Sequence, residues 1–248
     1  MLKRVLLVAV LGMVAGGGCK KSSVPAAPTD MVRTSPDGML SLDGRSVVNG
    51  GEVELAGLIK ALHEEGGRLV VTFASNQPTR SVLCRVEAGQ VAAAGNLAVG
   101  QLVAMHGLAR GQSGGNPVLE PCRLVWAGPP PGTKPADGRD VLRAARSLEM
   151  CRVPLVVDGL RRGGRTLPDG KPMTEAAFRQ QEPARAERLD AAEKKARAEL
   201  ASVGLTALSC DHPLLHVLQR CETPSGPDTP GVECDAPYVR EIRALLTP

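Results

Sequence analysis

The chain is predicted to be α+β, with its strands in the first half and its helices in the second. Three observations predict this. Apolar and polar residues alternate between Gly51 and Trp126, a Pro/Gly-rich stretch breaks all periodicity over residues 128–138, and beyond it apolar residues recur at spacings of three and four. At 248 residues the chain is long enough for two modest domains.

Residues 52–62 begin with a period of two and are predicted as the first strand. Glu64-Glu-Gly-Gly67 supplies a turn, and residues 68–74 return as a second strand to make a hairpin. Residues 81–86 read as a third strand, and residues 88–95 suit a short helix. The fourth and fifth strands, 101–110 and 118–126, are joined by the polar turn Gly111-Gln-Ser-Gly-Gly-Asn116.

Five strands with a helix between the third and fourth is the element order of an OB-fold. The segments Ser81-Val-Leu-Cys-Arg-Val86, Val99-Gly-Gln-Leu-Val-Ala-Met-His-Gly107 and Leu119-Glu-Pro-Cys-Arg-Leu-Val125 sharpen that reading. Together they resemble the tRNA-anticodon-like OB domain of bacterial lipoproteins and secreted proteins, in which a third-strand cysteine, a G-Q-x-V-x-x-x-G fourth strand and a fifth-strand cysteine recur. The resemblance covers residues 51–128 and implies a fold, an OB-like β-barrel, without implying an activity. The barrel domain is placed at residues 39–128 and a Pro/Gly linker at 129–138.

The second half, residues 139–248, reads as a helical domain and resembles no family. Val141, Leu142, Ala145 and Leu148 share one helical face, and residues 153–157 briefly interrupt the pattern. Residues 161–172 form a loop, after which Thr174 can cap a helix that restarts at Pro183 and carries Leu189, Ala192, Ala196, Leu200 and Val203. Asp211-His-Pro213 opens a further helix to about Cys221, and a last one runs from about Pro237 to Leu246.

The start of the chain resembles a bacterial lipoprotein signal. Lys3 and Arg4 precede an apolar run over residues 5–15, too short to span a hydrocarbon core of about 30 Å. Gly16-Gly17-Gly18-Cys19 follows, with Gly16 where that family usually has leucine. The resemblance implies a signal peptide over residues 1–18, acylation of Cys19, a flexible tether over residues 19–38 and a place in the cell envelope, held to a membrane by lipid. The other reading is an ordinary signal peptide cut near Ala15, with Cys19 as a spare thiol.

Six further cysteines, Cys84, Cys122, Cys151, Cys210, Cys221 and Cys234, form an even set suited to disulfides in an oxidising compartment. In the OB topology the third and fifth strands are neighbours, so Cys84 and Cys122 are expected to pair. Cys210 and Cys221 would stand on the order of 15 Å apart along a helix and cannot easily join. Two pairings remain open, of which Cys151–Cys210 with Cys221–Cys234 is preferred over the crossed alternative.

Charge and composition narrow the function classes. Net charge is +4, falling to +2 once Lys3 and Arg4 leave with the signal, and residues 38–128 hold seven basic and seven acidic side chains. Phe73, Trp126, Phe178 and Tyr238 are the whole aromatic set. Single-stranded nucleic acid is bound by basic grooves and stacking rings, so a nucleic-acid partner is not expected.

Among candidate sites, Gly111-Gln-Ser-Gly-Gly115 matches the string of a hydrolase nucleophile elbow, but it lies between two strands as a hairpin turn would. His212 and His216, near Cys210 and Cys221, have the residue types of a zinc site, against which stands a disulfide-tied helix. Arg161, Arg162, Arg165 and Lys171 make a basic loop that could hold phosphate or a lipid headgroup. His63 and His106 are read as strand surface or barrel residues. No catalytic residue and no cofactor are expected, and the favoured role is a non-catalytic envelope module for a protein partner or ligand. The alternatives are an enzyme with its site in the helical half and a glycan-binding barrel.

Overall fold

The structure, a computed structural model, describes residues 31–41, 50–133, 138–162, 164–222 and 231–246. The predicted signal peptide, Cys19 and most of the predicted tether lie outside the described residues. Among the described residues no helix is long and apolar enough to cross a membrane.

Six strands form one sheet: β1 (Val32–Thr34), β2 (Glu52–Glu65), β3 (Arg68–Phe73), β4 (Val82–Val86), β5 (Leu102–Ser113) and β6 (Asn116–Ala127). Their order is β1-β2-β3-β4-β6-β5, and β5 returns to pair with β2, closing a five-stranded barrel over β2 to β6. All pairings within the barrel are antiparallel except β4 with β6, which is parallel. Counting from β2, this is the 1-2-3-5-4-1 circuit of an OB barrel. Strand β2 manages two neighbours by dividing its length: residues 52–58 pair with β5, and after an irregularity between Ile59 and Ala61 the rest pairs with β3. Strand β1 lies parallel to β2 beside Val53 to Leu55, where β3 has not yet begun.

The barrel interior follows the period of two. Val53, Leu55 and Ile59 on β2 meet Val71, Phe73, Val103, Met105 and Leu119 inside, all essentially without exposure. The Cys84–Cys122 disulfide crosses the parallel β4–β6 pair, where the two α-carbons stand 5.8 Å apart. The expected short helix is a 3-10 turn over Ala88–Gln90 continued by α2 (Val91–Ala94), which contributes Ala94 to this core.

One expectation is corrected at the start of the barrel. The tether was placed through residue 38, yet β1 and helix α1 (Pro36–Ser41) are packed, with Met39 and Leu40 buried in the barrel core. A β-carbon on Gly57 would meet the Pro36 ring at 2.5 Å, so glycine at 57 is what lets α1 seat against β2. Proline-rich composition marked residues 19–38 as a tether, but residues 32–38 are drawn onto the barrel by the adjoining Met39 and Leu40, which the barrel expectation already included.

The helical half comprises α3 (Gly138–Met150), α4 (Arg152–Arg162), α5 (Glu175–Gln181), α6 (Pro183–Ser202), α7 (Pro213–Glu222) and α8 (Pro237–Leu246), with a 3-10 turn at Val232–Asp235. Residues 153–157, expected to interrupt helicity, lie inside α4, because Pro154 falls in its first turn where no intrahelical N–H is needed. The Thr174 side chain accepts a hydrogen bond from the Ala177 N–H, capping α5 as expected. Val203 was placed on the buried stripe of α6; the helix stops at Ser202 and Val203 is exposed. Cys151 joins Cys210 and Cys221 joins Cys234, the preferred pairing.

The two halves share a core. Ala56, Leu102 and Ala104, on the outward face of β2 and β5, form one cluster with Ala144, Ala145 and Leu148 of α3, Leu214, Leu215 and Leu218 of α7, and Val239 and Ile242 of α8. Ala56 and Ala104 are register partners, and two small side chains side by side give the helices a flat seat. A second, smaller cluster joins Val153, Met173, Phe178 and Ala186 among α4, α5 and α6.

Candidate functional site

Two features stand where barrel and helices meet: a buried ionic seam and an aromatic cleft. The seam follows from the alternation of β2, which turns Glu54 outward onto the helices. Arg33 on β1 approaches Glu54 at 3.6 Å. Arg220, with 2% of its side chain exposed, donates to the Ala56 carbonyl at 3.4 Å and lies 3.9 Å from the fully buried Glu233 carboxylate. The Asp37 carboxylate accepts from the Asn76 N–H at 2.8 Å and crowds the same space beside Gly231 as Glu233. Burial raises the Glu233 and Glu54 carboxyls above their usual range, and the nearby guanidinium charges oppose that shift. With Arg220 and Glu233 buried and Arg33 at its partly exposed end, this seam joins the halves.

The cleft is different. It encloses about 370 Å³ between the end of β6, the start of α3, the approach to α7 and the start of α8. Trp126, His212 and Tyr238 line it together with Asp140 and Arg143. The chain has one Trp and one Tyr, and both stand here. The Trp126 and His212 rings meet edge to face, 5.4 Å between centroids at 74°. A β-carbon on Gly128 would stand 3.1 Å from the six-membered ring of the indole. His212 accepts from the Leu214 N–H through Nδ1 at 3.2 Å, which leaves Nε2 to carry the ring proton. Burial lowers the His212 imidazole below its ordinary value of 6.5, so the ring is neutral at neutral pH. Burial, with Asp140 and Glu241 adding to it, raises the Tyr238 phenol, which stays a hydroxyl. Asp140 and Arg143 face one another at 3.5 Å. A smaller cavity of about 140 Å³ shares Pro129 and Tyr238 with it and is lined also by Leu58, Leu102, Pro130 and Pro131.

The residues singled out in sequence are scattered. Of the basic loop, Arg161 pairs with Asp158 at 3.4 Å, Arg165 with Glu182 at 3.3 Å and Lys171 with Asp169 at 2.9 Å. Each of these three cations has a carboxylate partner, and Arg165 shares Glu182 with Arg185. Arg162 closes α4, and its side chain is outside the described part. His212 lines the cleft, whereas His216 is buried with Nδ1 3.8 Å from Asp158. Cys210 and Cys221 are consumed in different disulfides. No three His, Cys, Asp or Glu side chains gather as a metal would require among the described residues. Gly111-Gln-Ser-Gly-Gly115 spans the β5–β6 hairpin, with Ser113 opposite Asn116 and Gly114 and Gly115 both at positive φ, as a two-residue turn demands. His106 lies 3.8 Å from Glu52 on the neighbouring strand, and His63 pairs in register with Val70.

The β3–β4 face of the barrel, where OB-folds receive oligomers, carries Arg68 and Arg85 against Glu65 and Glu120. Phe73, the aromatic residue of β3, points inward and is fully buried in the barrel core.

No protein-family model matches the chain, and no curated protein matches it. Among solved structures it is similar to OBody AM3L15 bound to hen egg-white lysozyme, at 16% identity over 38% of this chain and 92% of that one, with a TM-score of 0.28. It is also similar to asparaginyl-tRNA synthetase from Pyrococcus horikoshii, at 18% identity over 46% of this chain, TM-score 0.27, of which it spans 35%. The strand circuit itself, with its single parallel β4–β6 pairing and closing β2–β5 contact, makes the first half of this chain an OB-fold barrel.

Proposed function

We propose that the chain is an exported, lipid-anchored, non-catalytic binding module that takes a ligand in the cleft at the barrel–helix junction. One observation carries the binding assignment: the single Trp and single Tyr converge on one cavity with His212, while no serine, cysteine or lysine nucleophile lines the larger cleft. A chain with four aromatic residues that keeps its two Phe in the cores and places its Trp and its Tyr at a surface cleft is equipped to recognise. Export is supported by the signal-like order before Cys19 and by three disulfides, which persist in oxidising compartments.

Fractionation of cells expressing the wild-type chain and Cys19→Ser tests the anchor. The wild type should pellet with membranes and the variant should be released; a variant that still pellets refutes lipid anchoring. Cross-linking in intact envelopes tests the module: adducts should form on the wild type and diminish in Trp126→Ala. Adducts indifferent to that change would move the binding surface away from the cleft.

A further inference from the structure

We propose that Asp37 and Glu233 share one proton and so form a latch, which holds the N-terminal strap of β1 and α1 on the barrel while the proton is bound and loosens it when the proton leaves. The latch lies apart from the cleft, and its test is independent of the binding-module reading.

The two carboxyl groups meet at Gly231. A β-carbon there would overlap Glu233 Oε2 and stand 2.7 Å from Asp37 Oδ2, so the two oxygens flank one small gap that glycine leaves open. Glu233 is fully buried and Asp37 is 5% exposed. Neither carboxyl oxygen of Glu233, nor Oδ2 of Asp37, makes a hydrogen bond among the described residues. Ionised carboxylates only accept, so two of them at one buried gap repel and leave each other unsatisfied. A single proton lets one donate to the other and satisfies both. Asp37 already accepts from the Asn76 N–H at 2.8 Å, which favours the charge on Asp37 and the proton on Glu233.

That proton also balances the seam. Asp37, Glu54 and Glu233 bring three carboxyl groups against the guanidinium groups of Arg33 on β1 and Arg220 on α7. With one proton bound, two anions face two cations; without it the seam holds a surplus buried negative charge. Asp211 reaches Arg33 from solvent. The other charged side chains of the packed elements are turned elsewhere. On β2, Glu52 lies by His106; on β4, Arg85 faces Glu65 and Glu120; on α7, His216 lies by Asp158 and Glu222 by Arg152. On α8, Glu241 lines the smaller cavity and Arg243 acts on Glu222, while Arg240 and Asp235 are exposed. Burial raises both carboxyls of the pair, opposed by Arg220 at Glu233 and by the Asn76 N–H at Asp37, so the proton leaves above the ordinary glutamate value of 4.5.

The strap is the part that such repulsion can move. Strand β1 is three residues long and pairs with β2, and α1 is six residues long and anchored by Met39 and Leu40. The Val232–Asp235 turn that carries Glu233 is tied to α7 by the Cys221–Cys234 disulfide, so it cannot follow. Short elements of this kind open locally while the rest of the fold stays closed. Opening leaves the backbone edge of β2 from Val53 to Leu55 without its β1 partner.

Hydrogen exchange read by mass spectrometry on the purified full chain tests the latch. Peptides covering residues 31–41 are followed from pH 4.5 to about pH 8, corrected for intrinsic exchange, with β3 as the internal reference. Relative to β3, the strap should exchange faster by about tenfold or more as the pH rises across that range. Glu233→Gln, whose amide donates to Asp37 without a titrating proton, should flatten the response and keep the strap protected at the upper end. Asp37→Asn should flatten it too, and carries the test should Glu233→Gln fold poorly. Glu54→Gln should retain the response. The latch is overturned by a strap that changes only in step with β3, or by a response that survives both Glu233→Gln and Asp37→Asn. A response abolished by Glu54→Gln alone assigns the proton to another carboxyl and overturns it as well.

Discussion

The guanidinium of Arg220 donates to the backbone carbonyl of Ala56 at 3.4 Å, joining residues 164 apart in the chain. Arg220 belongs to the last turns of α7 and Ala56 to the seat on β2, so this bond ties the helical half directly to the barrel wall. Around it Glu54, Glu233 and Asp37 supply the opposing charge. The seam is costly to break, because charges removed from water depend on one another.

Arg220→Ala should therefore destabilise the protein by about 3–5 kcal/mol, the usual consequence of stripping one partner from a buried ionic group. Arg220→Met combined with Glu233→Gln should lose less than the two single changes added together. Urea unfolding of the four proteins measures this coupling, and strict additivity would show that the two groups do not act as a pair.

Stability should fall as pH rises above about 4.5, the ordinary value for the Glu233 carboxyl. Burial raises that carboxyl in the folded chain, so between the unfolded and folded values the native state holds more protons than the unfolded state. The resulting stability is fully present below 4.5 and is lost as pH rises through the raised folded value. Glu54 and Asp37, also raised by burial, act with the same sign. Melting temperatures followed from pH 4.5 to neutrality should decline less steeply in Glu233→Gln than in the wild type. An identical slope would mean that Glu233 does not titrate differently on unfolding.

Replacing both Cys84 and Cys122 by alanine should cost about 3–4 kcal/mol in the chain-entropy account of a loop this long. The bridge spans 38 residues and holds the one parallel pairing of the barrel. Denaturant unfolding gives the magnitude, and non-reducing peptide mapping of the wild type should recover Cys84 linked to Cys122. Recovery of Cys84 linked to a cysteine of the helical half would contradict the barrel circuit.

Ala56→Leu should destabilise by about 1–3 kcal/mol through overpacking, although it adds apolar volume. Ala56 is 3% exposed and stands beside Ala104 under the helices, with no room for a longer side chain. A neutral or stabilising result in thermal unfolding would mean that the helices can lift from the barrel at little cost.

The sequence by itself determined the strands, turns and most helices, because alternation, glycine turns and caps act within a few residues. The β5–β6 hairpin, the Thr174 cap and the set of paired cysteines were all legible in this way. Leu55 to Ile59 and Leu102 to Met105 are apolar on both faces, the mark of strands covered on both sides. That pattern announces a barrel wall with a layer of helices outside it, as in the cluster that β2 and β5 share with α3, α7 and α8. Tertiary structure alone decided the rest. Trp126, Asp140, His212 and Tyr238 come from segments up to about a hundred residues apart, and only the docking of α3, α7 and α8 on the barrel brings them to one cleft. The same docking matches Arg220 with Ala56 and Glu233, since charge pairing across a seam depends on which faces meet, a property of the packed chain that local periodicity does not encode.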